Sequence, residues 1–225
     1  MGSTAAQPNA DTADAGTAGT RYRYEPVTKS AQSRRASSGI VGSTMPRPLR
    51  DTAAGTFHVY THCVWAAQGL YRDDVDRLEF LRGLARASTG RGLTCTSFCL
   101  MSTHYHLIVE VGEDVLPASM HALNLGYALA YNDRYRLRGH VQFDRYGSRR
   151  IEDEDDLLGT YAYVANNPVE AGLCEKPGDW LWSSYAGTIG LRPQDSFVDP
   201  GRVLGCFRWP DVDPRAALRR RVEES

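Results

Sequence analysis

Apolar and polar positions change period along this chain, and the changes mark its elements. Residues 1–44 have no period. MGSTAAQPNADTADAGTAGT is Ala, Thr and Gly with almost nothing to bury, and the stretch to Thr44 adds Ser, Arg and scattered Tyr. Such a segment cannot offset its ordering entropy and is expected to be disordered. Met45 opens MPRPLR just ahead of the first regular run, so the folded part is expected to begin there. A chain starting at Met45 should melt at the same temperature as the full one, within error.

FHVYTHCVW (57–65) is dense in β-branched and aromatic residues and predicts a strand with His58, Tyr60, His62 and Val64 on one face. Residues 73–89 predict a helix. Asp73 or Asp74 caps it, Val75, Leu78, Leu81 and Leu84 recur every three, and Gly90 and Gly92 stop it. TSFCLMSTHYHLIVEV (96–111) predicts strand with room for a break at Ser102–Thr103. Residues 117–137 predict a helix with Met120, Leu123, Tyr127 and Tyr131 on one stripe. Residues 134–150 read as a connection holding six Arg against one Asp, Asp144. Residues 153–167 predict a helix opened by acidic residues and stopped by Pro168, and about 213–223 a short one. The strands are too few for a doubly wound sheet. A small antiparallel sheet covered by helices, an α+β domain, is the economical architecture.

Composition narrows the picture. The chain has 225 residues, 26 Lys+Arg against 27 Asp+Glu, and a net charge of -1. That balance argues against coating duplex DNA by bulk charge but leaves room for a local basic groove. Only Lys29 and Lys176 are lysines, so the cationic chemistry is Arg chemistry, which suits phosphate as well as GC-rich coding. No apolar run of membrane-spanning length occurs. Five cysteines without a framework spacing, and no apolar segment behind a basic N-terminus, point to a reducing, cytoplasmic setting. Cys95 and Cys99 could form a zinc pair, but no second pair accompanies them.

The sharpest chemical feature is His104-Tyr105-His106. Residues i and i+2 of a strand point the same way, so two imidazoles project together and can grip one ion. The same spacing also fits two histidines on a half-exposed strand face. The second feature is Tyr163 and Asn167 in YAYVANNP. Leu157, Leu158, Tyr161, Val164 and Ala165 make the apolar stripe of that helix, and Tyr163 lies off it. Asn167 follows one turn later on the Tyr163 face, while Tyr161 reads as a core aromatic.

Taken together and in order, these pieces resemble the REP-associated tyrosine transposases of the single-tyrosine HUH superfamily. The resemblance runs from MPRPLR to about Tyr185. It rests on FHVYTHCVW with Arg72-Asp-Asp, CLMSTHYHLIVEV, YNDRYRLRGHVQFDRY, YVANNPVEAGL and GDWLWSSYAG. It implies a ferredoxin-like or RRM-like antiparallel sheet with helices packed on its faces. It also implies a catalytic domain over 45–188 and a C-terminal extension over 189–225. By that resemblance Tyr163 is the nucleophile, and His104, His106 and Asn167 hold Mg²⁺ or Mn²⁺. The implied reaction is cleavage and rejoining of single-stranded DNA through a 5′-phosphotyrosine, the chemistry of DNA transposition. Hairpin-forming repeats are the implied partner, with monomer or homodimer left open. Arg134, Arg136, Arg138, Arg145, Arg149 and Arg150 are the candidate DNA track, with Tyr146 among them for base stacking. The chain departs from the family at Ser102-Thr103, Gly147, Ala165-Asn166 and Glu170. Two other readings compete: a non-catalytic nucleic-acid-binding module, and a metal-dependent phosphoesterase that uses water and has no need of Tyr163.

Overall fold

The computed structural model describes residues 52–62, 69–90, 92–137 and 146–225, all within the unit Pro48–Ser225; the His62 side chain is not described. The expected tail 1–44, Met45, Arg138 and Arg145 fall outside the described residues.

The first six elements are β1 (Gly55–His62), α1 (Asp74–Gly90), β2 (Leu93–Leu100), β3 (His104–Val111), α2 (Val115–Tyr135) and β4 (Gly147–Ile151). The strands form one antiparallel sheet in the order β2-β3-β1-β4. This βαββαβ order with β1 and β3 central is the ferredoxin-like arrangement, as expected. The run 96–111 does break at Ser102–Thr103. The Met101 N–H closes the turn onto the His104 carbonyl at 2.8 Å.

Alternation along the strands makes two apolar faces. Phe57, Val59, Phe98, Leu100, Tyr105, Leu107 and Val109 face one way. They pack with Phe80 and Leu84 of α1 and Met120, Leu123, Tyr127 and Tyr131 of α2. Phe80 is fully buried, with its ring centroid 4.7 Å from that of Tyr105 and 5.6 Å from that of Tyr127. Phe80→Ala is expected to cost about 3–5 kcal/mol. The melting temperature should fall by roughly 10 °C.

The opposite face carries Cys99, Ile108 and Ile151 and is covered by α3 (Glu154–Glu170). Leu157, Tyr161, Val164 and Ala165 are the buried stripe of α3. The chain then adds α4 (Tyr185–Thr188), α5 (Gly201–Leu204) and α6 (Pro214–Glu223). Tyr185, Val203, Leu218 and Val222 join the same core, so the C-terminal segment is built into this layer. The Asn166 side chain ties α3 to α6 by donating to the Val222 carbonyl at 2.8 Å.

Three expectations change. First, β4 lies inside the segment read as a connection. GSRRI has no apolar alternation and forms a strand because β1 offers it a free edge. Gly147 lets the Tyr60 ring lie against bare backbone, where a Cβ would stand 2.5 Å from Tyr60 Cζ. Second, α1 buries Asp76, Phe80, Leu84 and Ala87, while Val75 and Leu78 are exposed. The every-three row drifts around a 3.6-residue helix, whereas this row stays inward. Third, α3 runs past Pro168 to Glu170. Pro168 lacks the N–H that would bond back to Val164 and crowds that carbonyl, but it stands two residues from the helix end, where the helix absorbs the strain. Gly172, at φ 68°, ends the helix instead, with its N–H on the Val169 carbonyl and that of Leu173 on the Pro168 carbonyl.

Candidate active site

The histidines lie on the sheet face that α3 covers. In the register of β1 with β3, His62 stands opposite His104, Tyr60 opposite His106, and His58 opposite Ile108. His104, His106, His58 and Tyr60 therefore share one side of the pleat. His58 and His106 are diagonal neighbours, and His58 Nε2 lies 3.0 Å from His106 Nδ1 with ring centroids 5.2 Å apart. Both side chains are buried. Burial, followed by the positive charge of Arg149, pulls the His58 pKa down to about 4.

Helix and strand repeats then match. Four residues of α-helix rise about 6 Å, and two residues of strand about 6.8 Å. So Tyr163 and Asn167 meet His106 and His104 in turn. The Tyr163 ring stands edge-on to His106 at 5.4 Å between centroids, and to His58 at 6.0 Å. Asn167 Oδ1 lies 3.2 Å from His104 Nε2. His104 Nδ1 lies 3.2 Å from Thr103 Oγ1, whose hydroxyl can donate to it while Nε2–H donates to Asn167. His106 is 3% and Tyr163 45% exposed, so the phenol is presented to solvent above a buried imidazole floor. Of the four residues expected to act together, Tyr163 stands against His106, Asn167 against His104, and the two imidazoles lie edge to face at 5.1 Å between centroids.

An open groove of about 350 Å³ runs beside Tyr163, lined by His58, Arg149, Asp156, Gly159, Thr160 and Tyr163. Arg149 donates to both Asp156 carboxylate oxygens, at 2.8 and 2.9 Å, and to Thr160 Oγ1 at 2.6 Å. The Arg149 hydrogen bonds hold the Asp156 pKa down to about 2. The folded pKa lies below the unfolded value of about 3.9, so the stability this pair contributes is present above pH ~4 and lost as the pH falls toward 2. Asp156→Asn should therefore melt below the parent at pH 6, with the gap closing as the pH drops from 4 toward 2. Thermal melts across that range check it.

The Arg-rich segment does not form one uniform track among the described residues. Arg134 is held by Asp73 at 2.6 Å and by buried Asp76 at 2.5 Å, which fastens α2 to α1. Arg150 donates to the Ala54 carbonyl at 3.0 Å and lies over the Phe57 ring. Tyr146 is buried in the α1/α2-side core, so its ring does not face a stacking base. Arg136 is exposed and closes α2 in a left-handed conformation, φ 52°. Half of the Arg149 side chain is exposed, beside Tyr163.

Acidic and sulfur side chains offer no ion site among the described residues. Among the described residues no three His, Cys, Asp or Glu converge on one point. Cys95 and Cys99 sit on opposite sheet faces, because the irregularity between Cys95 and Ser97 reverses the alternation. The fitting set needs the Asn167 amide: two imidazoles and one carbonyl oxygen. In the ion-free structure His104 Nε2 and Asn167 Oδ1 lie 3.2 Å apart, the imidazole N–H donating to the amide oxygen, and an ion held there would take the place of that proton. Spacing marks His104 with His106 and Tyr163 with Asn167 as two pairs, and the family resemblance joins them. Spacing does not reveal the contact of His58 with His106, which depends on strand register.

No protein-family model matches the chain, and no curated protein matches it. Among solved structures, a REP-associated tyrosine transposase bound to a REP hairpin is similar with a TM-score of 0.56 and 18% identity, over 69% of this chain and 93% of that one. A Deinococcus radiodurans protein described as a candidate transposase is similar with a TM-score of 0.37 and 17% identity, over 54% of this chain and 97% of that one. The first likeness shows a shared fold. Among the described residues no helix is long and apolar enough to cross a membrane.

Proposed function

We propose that this protein is a transposase-type DNA strand transferase that cleaves and rejoins single-stranded DNA through Tyr163. One observation carries the reading: an exposed phenol stands directly over a buried pair, His106 and His58, while Asn167 of the same helix meets His104. A surface tyrosine with no chemical role would have no need of such a floor.

The Tyr163 oxygen attacks a backbone phosphorus. The Tyr163 O–P bond forms, the P–O3′ bond breaks, the phenol proton is released, and the departing 3′ oxygen takes up a proton. The product is a 5′-phosphotyrosine and a free 3′-OH. Rejoining is the reverse, with the 3′-OH attacking phosphorus and the phenol regaining a proton. The covalent link conserves the phosphodiester, so no nucleotide cofactor is consumed. A phenol of ordinary pKa about 10 is a weak nucleophile at neutral pH. A divalent ion, Mg²⁺ or Mn²⁺, bound by His104, His106 and Asn167 would supply Lewis-acid polarisation of a non-bridging phosphate oxygen.

The protein's own part is orientation. Helix α3 fixes the phenol relative to the imidazoles, because its buried stripe docks on the sheet. Arg149, held in plane by Asp156, faces a strand phosphate in the groove next to Tyr163. Arg136, with Arg138 and Arg145 of the following segment, guides the rest of the strand. The transposase of the same fold is bound to a REP hairpin, so a hairpin-forming single strand is the substrate class to try first. Labelled hairpin DNA incubated with the protein and Mn²⁺, then run on a denaturing gel, should give a protein–DNA adduct and a shortened strand. Shortened DNA without an adduct would indicate a water-using phosphoesterase. DNA binding with neither product would indicate a binding module.

A further inference from the structure

We infer that His58 is a positioning residue: its Nε2 accepts a hydrogen bond from His106 Nδ1–H and so fixes the tautomer of His106. The inference rests on the proposed ion-binding role of His106. The observation is the 3.0 Å separation of the two nitrogens, in a buried contact between strands 48 residues apart in sequence. Two ring nitrogens at that distance share one proton, because two N–H groups would clash and two lone pairs would repel. Only two arrangements satisfy this. If His58 donates, neutral His106 carries its proton on Nε2, and that nitrogen cannot ligate. If His106 donates from Nδ1, its buried Nε2 keeps a lone pair and can ligate.

The second arrangement is the one an ion-binding His106 needs, and it gives His58 a definite task. A ligating imidazole whose other nitrogen is hydrogen-bonded is held in ring orientation as well as in tautomer. The surroundings of His58 support this. Tyr163 stands edge-on to both rings, Tyr60 lies beside His58 on β1, and Arg149 opposes it on β4. The contact is set by register, since His58 reaches His106 diagonally across β1 and β3. One backbone pairing thus places ligand and positioning residue together.

Two measurements on the full chain test it. In the metal-free parent, long-range ¹H–¹⁵N correlation spectra should show His106 protonated on Nδ1, with Nε2 unprotonated. The Mn²⁺ affinity, read by the electron paramagnetic resonance of free Mn²⁺ without DNA, should fall about 10–100-fold in His58→Phe. It should recover largely in His58→Gln, whose amide oxygen can accept the same hydrogen bond. His106 found as the Nε2–H tautomer in the parent would overturn the inference, as would His58→Phe with unchanged tautomer and Mn²⁺ affinity. A parent that binds no Mn²⁺, yet holds the Nδ1–H tautomer and loses it in His58→Phe, would keep the positioning role and remove the ion. The spectra of the parent require no variant to fold.

Discussion

Tyr163→Phe should abolish strand cleavage and leave DNA binding in place. The change removes one oxygen and keeps the ring, which packs edge-on to His106 and His58. If that oxygen is the nucleophile, cleavage falls by at least ~10³-fold and no adduct forms. Affinity for the strand rests on cationic contacts and stacking, so it should change by less than about threefold. Tyr161→Phe is the control two residues away. Tyr161 is fully buried in the α3 core. Losing its hydroxyl affects stability by about 1 kcal/mol, with cleavage close to the parent rate. Denaturing gels for product and a filter-binding titration for affinity separate the two variants.

The second large effect is expected at His106. His106→Ala removes one imidazole from the floor of the cleft and leaves His58 without its partner. Cleavage should drop by about 10²–10³-fold, and Mn²⁺ at tens of times the usual concentration should restore part of it. Tyr163→Phe should show no such rescue at any concentration, since the missing atom is the one that forms the bond. A water-using phosphoesterase would reverse this pattern, keeping activity in Tyr163→Phe and losing it in His106→Ala.

Much of this site is visible in the sequence because helix and strand periods are local. His104 and His106 share a face by the two-residue repeat, and Tyr163 and Asn167 by the four-residue repeat. Neither depends on the rest of the fold. The apolar stripe of α2 is legible for the same reason: Met120, Leu123, Tyr127 and Tyr131 are all buried. What depends on a partner distant in sequence is not legible. GSRRI is a strand only because β1 has an edge for it to pair with. His58 reaches His106 only through the register of β1 and β3. Arg134 looks like a DNA contact in a basic run until Asp73 and Asp76, about 60 residues away, are brought against it. Asp76 also receives the Tyr135 hydroxyl and the Arg72 backbone N–H, so a carboxylate on the inward row of α1 is satisfied by partners from outside that helix. An inward Asp breaks an apolar pattern, and this obscures the true face of α1.

The C-terminal segment shows the same limit. Its short helix, expected over about 213–223, is α6, capped by the Asp213 side chain. That Leu218 and Val222 complete the core over α3 is not legible, because two large apolar side chains in ten residues do not reveal what they face. Asn166 makes the connection specific, and its place beside Asn167 means one helix turn meets both α6 and His104.

The most direct test of the central claim is to trap the covalent intermediate and find the residue that bears the DNA. Protein incubated with a hairpin substrate and Mn²⁺ would be digested with nuclease and protease, and the nucleotide-bearing peptide sequenced by mass spectrometry. The account predicts a phosphate linked to Tyr163 and absent from the Tyr163→Phe protein. A nucleotide on any other residue, or cleaved DNA with every tyrosine unmodified, would contradict it.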